Sequence, residues 1–158
     1  WDILSDLGIY AFVVGVLAVT LGLIRWRVSR WDWRLGAVLL VVLAVDYTLI
    51  AAYEAYSTGE GMQIHYKLVY LMGVAFPLTV LLTAGQFYEI DRRLGIALYV
   101  GGVVWALAAP FLFVVPTGWD GLYERALAFG KLGWFVTMGV MIWRDPDIVR
   151  RVPEDERS

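Results

Sequence analysis

Two charged residues, Asp46 and Lys131, lie deep inside apolar stretches of this 158-residue sequence, where ionisable side chains are uncommon. Asp46 is eleven residues from Leu35 and ten from Tyr56, the ends of the apolar stretch that contains it. A carboxylate near the middle of a bilayer costs about 2.5–3.5 kcal/mol on insertion scales, so it must be protonated or paired. Proton transfer or ion binding is the chemistry that such a residue could perform. The alternative is a neutral carboxyl that only hydrogen-bonds neighbouring helices together.

The second of these residues, Lys131, lies six to eight residues from the start of another apolar stretch. This corresponds to a depth of about 9–12 Å at a rise of about 1.5 Å per residue. Its long side chain could reach back to the membrane interface. Alternatively, its ammonium pairs with Asp46 or with Glu54, which lies on the same broad helix face as Asp46. Gly130 and Gly133 would permit the close approach of a neighbouring helix.

Prolines and aromatic residues of the third, fourth and fifth spans predict a pocket or a hinge. Pro77 leaves the carbonyl of Gly73 without its usual donor, and Pro110 does the same for Ala106, so both prolines predict kinks. Prolines are also common in membrane helices without any such role, which is the alternative. The predicted pocket or hinge residues are Tyr70, Pro77, Trp105, Pro110 and Trp134.

The composition indicates an all-α integral membrane protein. Hydrophobic residues make up 60% of the chain, charged residues 18%, and the mean hydropathy is +0.67. Soluble domains are about 45–50% apolar and about 25% charged. We therefore predict one bundle of five transmembrane helices in residues 1–144, followed by a short charged cytoplasmic tail in residues 145–158. The predicted spans are Leu7–Ile24, Leu35–Tyr56, Leu68–Tyr88, Leu94–Val115 and Tyr123–Trp143.

The distribution of Lys and Arg predicts the orientation of this bundle. Ten of the thirteen basic residues fall in the connections after the first and third spans and in the tail. The opposite side has two basic residues, and the remaining one is Lys131 inside a span. The positive-inside rule therefore predicts an outside N-terminus and an inside C-terminus, in a multi-pass protein of the plasma membrane.

The sequence lacks the residues of most catalytic and redox sites. It has no cysteine, which excludes disulfides and thiolate chemistry, and a single histidine, His65, which we place in an external loop. No HExxH, GxSxG or Gly-rich phosphate loop occurs. We therefore expect no enzymatic activity, no metal site and no nucleic-acid partner. The expected partners are the lipid bilayer and either further copies of the chain or a larger membrane complex.

Two consecutive segments resemble the first helices of microbial rhodopsins. HYKLVYLMGVAFPLTVLLTAG is similar to the third helix of that family, and DRRLGIALYVGGVVWAL follows it. Lys67, Tyr70, Pro77 and the pair Ala84 and Gly85 occupy comparable places. The counterion acid of that family's helix has no clear equivalent here, and five spans are predicted where the family has seven.

The fifth span can be aligned with that family in two ways. As the last helix, LAFGKLGWFVTMGVMIWR puts Lys131 where the retinal Schiff-base lysine would be, with Leu127 in place of the partner acid. As the fifth helix, YERALAFGKLGWF resembles its basic and aromatic start, and no retinal-binding helix is reached. The resemblance implies a rhodopsin-like membrane protein with a proton- or ion-linked site at Asp46, Lys131 and Glu54, and it implies retinal in the first alignment alone. An accessory subunit of a membrane complex and a small transporter or channel are the alternatives.

Overall fold

A computed structural model describes residues 2–26, 30–52, 60–116 and 118–144 of the chain. Within these ranges the structure is helical and contains no strand. The helices are α1 (Asp2–Arg25), α2 (Trp31–Ala52), α3 (Glu60–Ile90), α4 (Arg92–Ala108) and α5 (Asp120–Arg144), with a short 3₁₀ helix (Ala109–Phe113) after α4. Five helical segments are long and apolar enough to cross a membrane. The predicted all-α fold with five spans is therefore confirmed.

The structure differs from the sequence-based expectation at two helix boundaries. Helix α3 begins at Glu60, so His65 lies in its first turns, and the prediction of a loop is wrong. No proline interrupts this polar segment, and a helix can extend beyond the bilayer because its backbone hydrogen bonds are internal. The fourth span changes from an α-helix to a 3₁₀ helix at Ala109, next to Pro110. Proline cannot donate a backbone hydrogen bond, which explains the change.

Helix α3 is the central element of the bundle, because it packs against α2 on one side and α4 on the other. Helix α1 packs on α2, and α5 closes the ring by packing against α1. The contact between α4 and α5 is sparse. The bundle is therefore tight around α3 and looser between its last two helices.

Helices α3 and α4 form a hairpin with Asp91 as its single linking residue. The Asp91 carboxylate accepts hydrogen bonds from the N–H groups of Arg93 (2.8 Å) and Leu94 (3.3 Å) and so caps α4. A Cβ added to Gly95 would lie 2.3 Å from the Cα of Tyr88. Glycine is therefore required at this crossing, since a larger residue would force the two backbones apart.

An aromatic cluster fills the centre of the bundle. Phe12 contacts the rings of Tyr47 and Phe135 edge-on, with centroid separations of 5.0 and 5.2 Å. Phe76 packs edge-on against Trp105 at 5.0 Å. These contacts join residues of all five helices, and edge-to-face pairs of this kind contribute about 0.5–1.5 kcal/mol each beyond area burial. The membrane-embedded charges lie beside this cluster.

Candidate functional site

Asp46 is buried inside the bundle, with 1% of its surface exposed. Neither of its carboxylate oxygens has a hydrogen-bond partner among the residues that the structure describes. A buried polar group without a partner costs about 1–3 kcal/mol, and a charged one costs more. The Asp46 carboxyl therefore forms no hydrogen bond that would join the described helices, which was the alternative to proton or ion chemistry at this residue.

The packing of α2 against α3 gives the position of Asp46 along the bundle. A Cβ on Gly36 would lie 2.8 Å from the Cγ2 of Thr83, so these two positions face each other. Asp46 lies ten residues after Gly36 on α2, and Gly73 lies ten residues before Thr83 on α3. Because the two helices are antiparallel and have the same rise per residue, Asp46 is about level with Gly73. Met72 is in the same turn of α3 and contacts Lys131. Asp46 and Lys131 thus lie at similar depths.

Lys131 is also buried, at 8% exposed. Its Nζ lies 2.9 Å from the Sδ of Met72 and 5.2 Å from the centroid of the Tyr47 ring. The ammonium therefore points into the bundle and does not reach back to the interface. It also lies more than 4.0 Å from the carboxylate of Asp46, so the predicted ion pair between them is not formed. Glu54, the other predicted partner, lies outside the described residues.

Tyr47 lies between these two charged groups. It follows Asp46 on α2, and its ring is the surface over which the Lys131 ammonium lies. Its hydroxyl is buried with no hydrogen-bond partner in the described ranges. Unpaired buried polar groups are the places where proteins hold water molecules or ions. The arrangement of a carboxyl, a phenol and an ammonium can therefore bind and exchange protons.

A cavity of about 300 Å³, hereafter the lysine cavity, lies beside Lys131 between α3, the end of α4 and α5. Four of the predicted pocket residues line it, namely Tyr70, Pro77, Trp105 and Pro110. Trp134 does not line it and instead faces a mainly apolar groove between α4 and α5. The structure thus brings most of the predicted pocket residues together around one space.

The walls of the lysine cavity are held by ring stacking and by a hydrogen bond. Tyr70 stacks on Phe113 with parallel rings whose centroids are 4.0 Å apart, which joins α3 to the 3₁₀ helix. The hydroxyl of Tyr123 donates a 2.8 Å hydrogen bond to the carbonyl of Ala108, which joins α5 to α4. Helix α3 continues through Pro77 without a break. Side-chain contacts therefore join the helices that form the walls of the cavity.

A second cavity, of about 440 Å³, lies on the other side of Lys131. It extends towards the end of the bundle that carries the α2–α3 and α4–α5 connections, hereafter the distal end. Three polar residues from that end line it, namely His65, Glu124 and Arg125. Because Lys131 lines both cavities, its ammonium stands between the distal end and the aromatic interior.

Sequence analysis missed a row of polar residues on α3. Thr79, Thr83 and Gln86 are all buried. Each threonine hydroxyl donates a 2.8 Å hydrogen bond to the carbonyl four residues earlier. Neither amide atom of Gln86 has a partner in the part of the chain that the structure describes. Spacings of four and three residues put all three on one helix face, so this signal was available in the sequence.

The opposite end of the bundle, hereafter the basic end, carries the α1–α2 and α3–α4 connections. Here Arg30 donates hydrogen bonds of 3.2 and 2.7 Å to the two carboxylate oxygens of Asp32 and a further one to Glu89. The hydrogen bond to Asp32 raises the pKa of Arg30 above its usual value, and the charges of Asp32 and Glu89 act in the same direction. The guanidinium therefore remains charged and holds α2 to the end of α3.

Within the described ranges, no group of three or more His, Asp and Glu side chains could hold a metal ion. No curated protein and no solved structure matches the chain, so the resemblance to microbial rhodopsins stays a prediction. One family model, described as "Protein of unknown function (DUF998)", matches residues 2–141 and covers nearly all of the five helices. The chain therefore belongs to the DUF998 family, as an integral membrane protein with five apolar helices.

Proposed function

We propose that this protein exchanges or moves protons, or ions coupled to them, through its membrane-embedded carboxyl group at Asp46. One observation carries the proposal: Asp46 is 1% exposed, and neither of its oxygens has a described hydrogen-bond partner. Such a group is expensive to keep inside a membrane and marks ion pathways and proton relays in membrane proteins. A cation or water molecule that enters the bundle would favour the ionised form of the Asp46 carboxyl, because it would stabilise the negative charge.

The second cavity supports a route from the distal end to this carboxyl. His65 and Glu124 line that cavity near its distal end, and Lys131 lines it at the depth of Asp46. These three side chains can all take up and release protons. Tyr47 follows Asp46 in the sequence and also lines this cavity. Its hydroxyl has no hydrogen-bond partner among the described residues. A proton entering from the distal end would therefore meet titratable groups until it reaches Asp46.

The polar row of α3 supports a continuation towards the basic end. Thr79 and Thr83 face α2 on the side of Asp46 that leads to the basic end, and Gln86 lies one turn closer to that end. Hydroxyl and amide groups can carry protons through water molecules that they hold in place. The row ends near Glu89, whose Oε2 is buried and has no partner among the described residues. Water held along this face would link Asp46 to the basic end.

The test is proton flux in liposomes that contain the purified protein, an internal pH-sensitive dye and a valinomycin-induced potassium potential. Asp46→Asn should reduce the flux at least tenfold, because the amide occupies the same space and cannot exchange a proton. Asp91→Asn is the matched control, since it makes the same chemical change at an exposed helix cap where asparagine is equally suitable. The control should keep the wild-type flux.

Equal flux in Asp46→Asn and the wild-type protein would exclude Asp46 from proton movement. A protein without any flux that migrates with a stable partner in blue-native electrophoresis would instead favour the accessory-subunit alternative. Both variants should be compared at equal helical content in circular dichroism, so that loss of folding is separated from loss of function.

The resemblance to microbial rhodopsins supports a narrower form of the proposal, in which Lys131 binds retinal. The amine of Lys131 would condense with the retinal aldehyde to form an imine and release one water molecule. Its position beside a cavity lined by Pro77 and Trp105 is compatible with this. Protein purified with retinal should then absorb visible light and lose the band on hydroxylamine treatment and in Lys131→Met. A colourless protein would exclude the retinal form and leave proton movement at Asp46 to be tested by the flux assay.

A further inference from the structure

The lysine cavity has the properties of a ligand site that does not depend on proton movement. From it we infer that the protein binds a single-chain amphiphile with a carboxylate head, the carboxylate on Lys131 and the chain in the cavity. The chemical class is that of a medium-chain fatty acid. The inference rests on the charge of Lys131, on the walls of the cavity and on its size.

Lys131 has no anion close to its ammonium among the described residues. Lys131 is more than nine-tenths buried, and its ammonium contacts a thioether sulfur and an aromatic ring. No carboxylate of the described residues lies within 4.0 Å of its Nζ. A buried cation needs a paired anion, because desolvation of the charge is otherwise uncompensated. A carboxylate brought by a ligand would supply that anion.

An apolar surface surrounds the ammonium. Apolar residues make up most of the cavity wall, among them Pro77, Leu81 and Trp105. Ligand pockets are generally apolar with a few placed polar groups that orient the ligand. Here one cation lies on the wall, and the apolar residues around it are suited to a hydrocarbon chain. This is the polarity of an amphiphile with one anionic head.

The charge of the cavity wall favours a carboxylate over a phosphate. Lys131 is the only cationic residue on the described wall of the lysine cavity. One ammonium balances the single negative charge of a carboxylate, whereas a phosphate head with up to two negative charges would need a further cation. A volume of about 300 Å³ is at the lower end of the range for ligand pockets. A single short chain with one negative charge fits both limits.

The cavity also has an entrance on the lipid side. Val74 and Leu78 line it, and both are among the exposed residues of α3, at 59% and 44%. In a membrane-spanning helix an exposed apolar residue contacts lipid. A fatty acid dissolved in the bilayer could therefore enter the cavity laterally, with its carboxylate directed to Lys131.

The experiment is equilibrium dialysis of radiolabelled decanoate against phosphatidylcholine nanodiscs that contain the wild-type protein, with protein-free nanodiscs subtracted. We expect one saturable site per chain. Lys131→Met should weaken binding at least tenfold, because methionine keeps an unbranched side chain and loses the cation. Arg125→Met is the matched control, since it removes an exposed cation from the same helix that does not line the lysine cavity. It should bind decanoate like the wild-type protein.

Ala106→Phe provides a second variant, because it should fill part of the lysine cavity while keeping the cation. It should also abolish decanoate binding, and it decides the question if Lys131→Met does not fold. The absence of saturable binding to the wild-type protein would overturn the inference. Competition by 1-decanol as strong as that by unlabelled decanoate would also overturn it, because the site would then bind the hydrocarbon chain without recognising the carboxylate. Stronger competition by decyl phosphate would overturn the preference for a carboxylate. None of these outcomes depends on the proton flux of Asp46.

Discussion

Two groups of charged residues in this protein satisfy their charges differently. At the basic end, Arg30 pairs with both Asp32 and Glu89, and the three side chains are between 17% and 28% exposed. Inside the bundle, Asp46 and Lys131 are 1% and 8% exposed and do not pair with each other. The first region is an ordinary ion cluster at a membrane boundary, whereas the second keeps ionisable groups without an ion pair among the described residues, where a charge is most expensive.

This difference separates charges that join helices from ionisable groups that do not. An ion cluster at the edge of the membrane keeps contact with water and joins two helices at little desolvation cost. An unpaired carboxyl inside the bundle contributes no helix contact that would offset its burial. The two regions should therefore respond in opposite directions when their charges are removed, and the following predictions test that contrast.

The largest stability change is expected at the basic end. Arg30→Met should lower the free energy of unfolding by about 2 kcal/mol, because it leaves two partly buried carboxylates without their common partner. The free energy can be measured by SDS titration of the detergent-solubilised protein. Arg93→Met is the control, since Arg93 is exposed and has no ion pair among the described residues, and it should change stability by less than about 0.5 kcal/mol. An equal loss in both variants would mean that the cluster does not join the helices.

The opposite sign is expected inside the bundle. Asp46→Leu should raise the free energy of unfolding by about 1–2 kcal/mol, because it removes an unpartnered carboxyl from an apolar environment. The same SDS titration measures the effect, and Asp46→Asn serves as a comparison that keeps a polar group and should gain less. Destabilisation by Asp46→Leu would show that the carboxyl has a structural partner, and it would remove the contrast between the two regions.

The smallest effect is the response of the two regions to salt. Raising the NaCl concentration from 0.05 to 0.5 M should narrow the stability difference between the wild-type protein and Arg30→Met by a few tenths of a kcal/mol. The stability difference between the wild-type protein and Asp46→Leu should stay the same, since salt screens a side chain that is 1% exposed only weakly. A salt response of equal size in both pairs would indicate that water and ions have free access to Asp46.

The sequence predicted the elements of this fold better than their mutual arrangement. Apolar stretches between charges and polar clusters indicated all five spans, since the length of such a stretch is a local property. The helical start of α3 was missed, because the polar residues around His65 carry no local signal that distinguishes a projecting helix from a loop. The 3₁₀ helix at Ala109 was expected only as a kink, although the responsible residue, Pro110, was identified.

The candidate site was also predictable in part. Four of the five predicted pocket residues line one cavity, and these four belong to the third and fourth spans. The partners of Lys131 could not be derived, since they depend on how far α5 is rotated towards α2 and α3. Helices α2 and α5 are apolar on nearly all sides and have no amphipathic face that would report this rotation.

By itself, the sequence determined that this chain is a five-helix membrane protein and that Asp46 and Lys131 lie at membrane depth. These features follow from the order and polarity of residues along one chain, which hydropathy records directly. Only the tertiary structure decided that Asp46 faces the interior without a described partner and that the Lys131 ammonium meets Met72 and Tyr47. The relative depth and rotation of separate helices set these contacts, and packing alone determines them when every face is apolar.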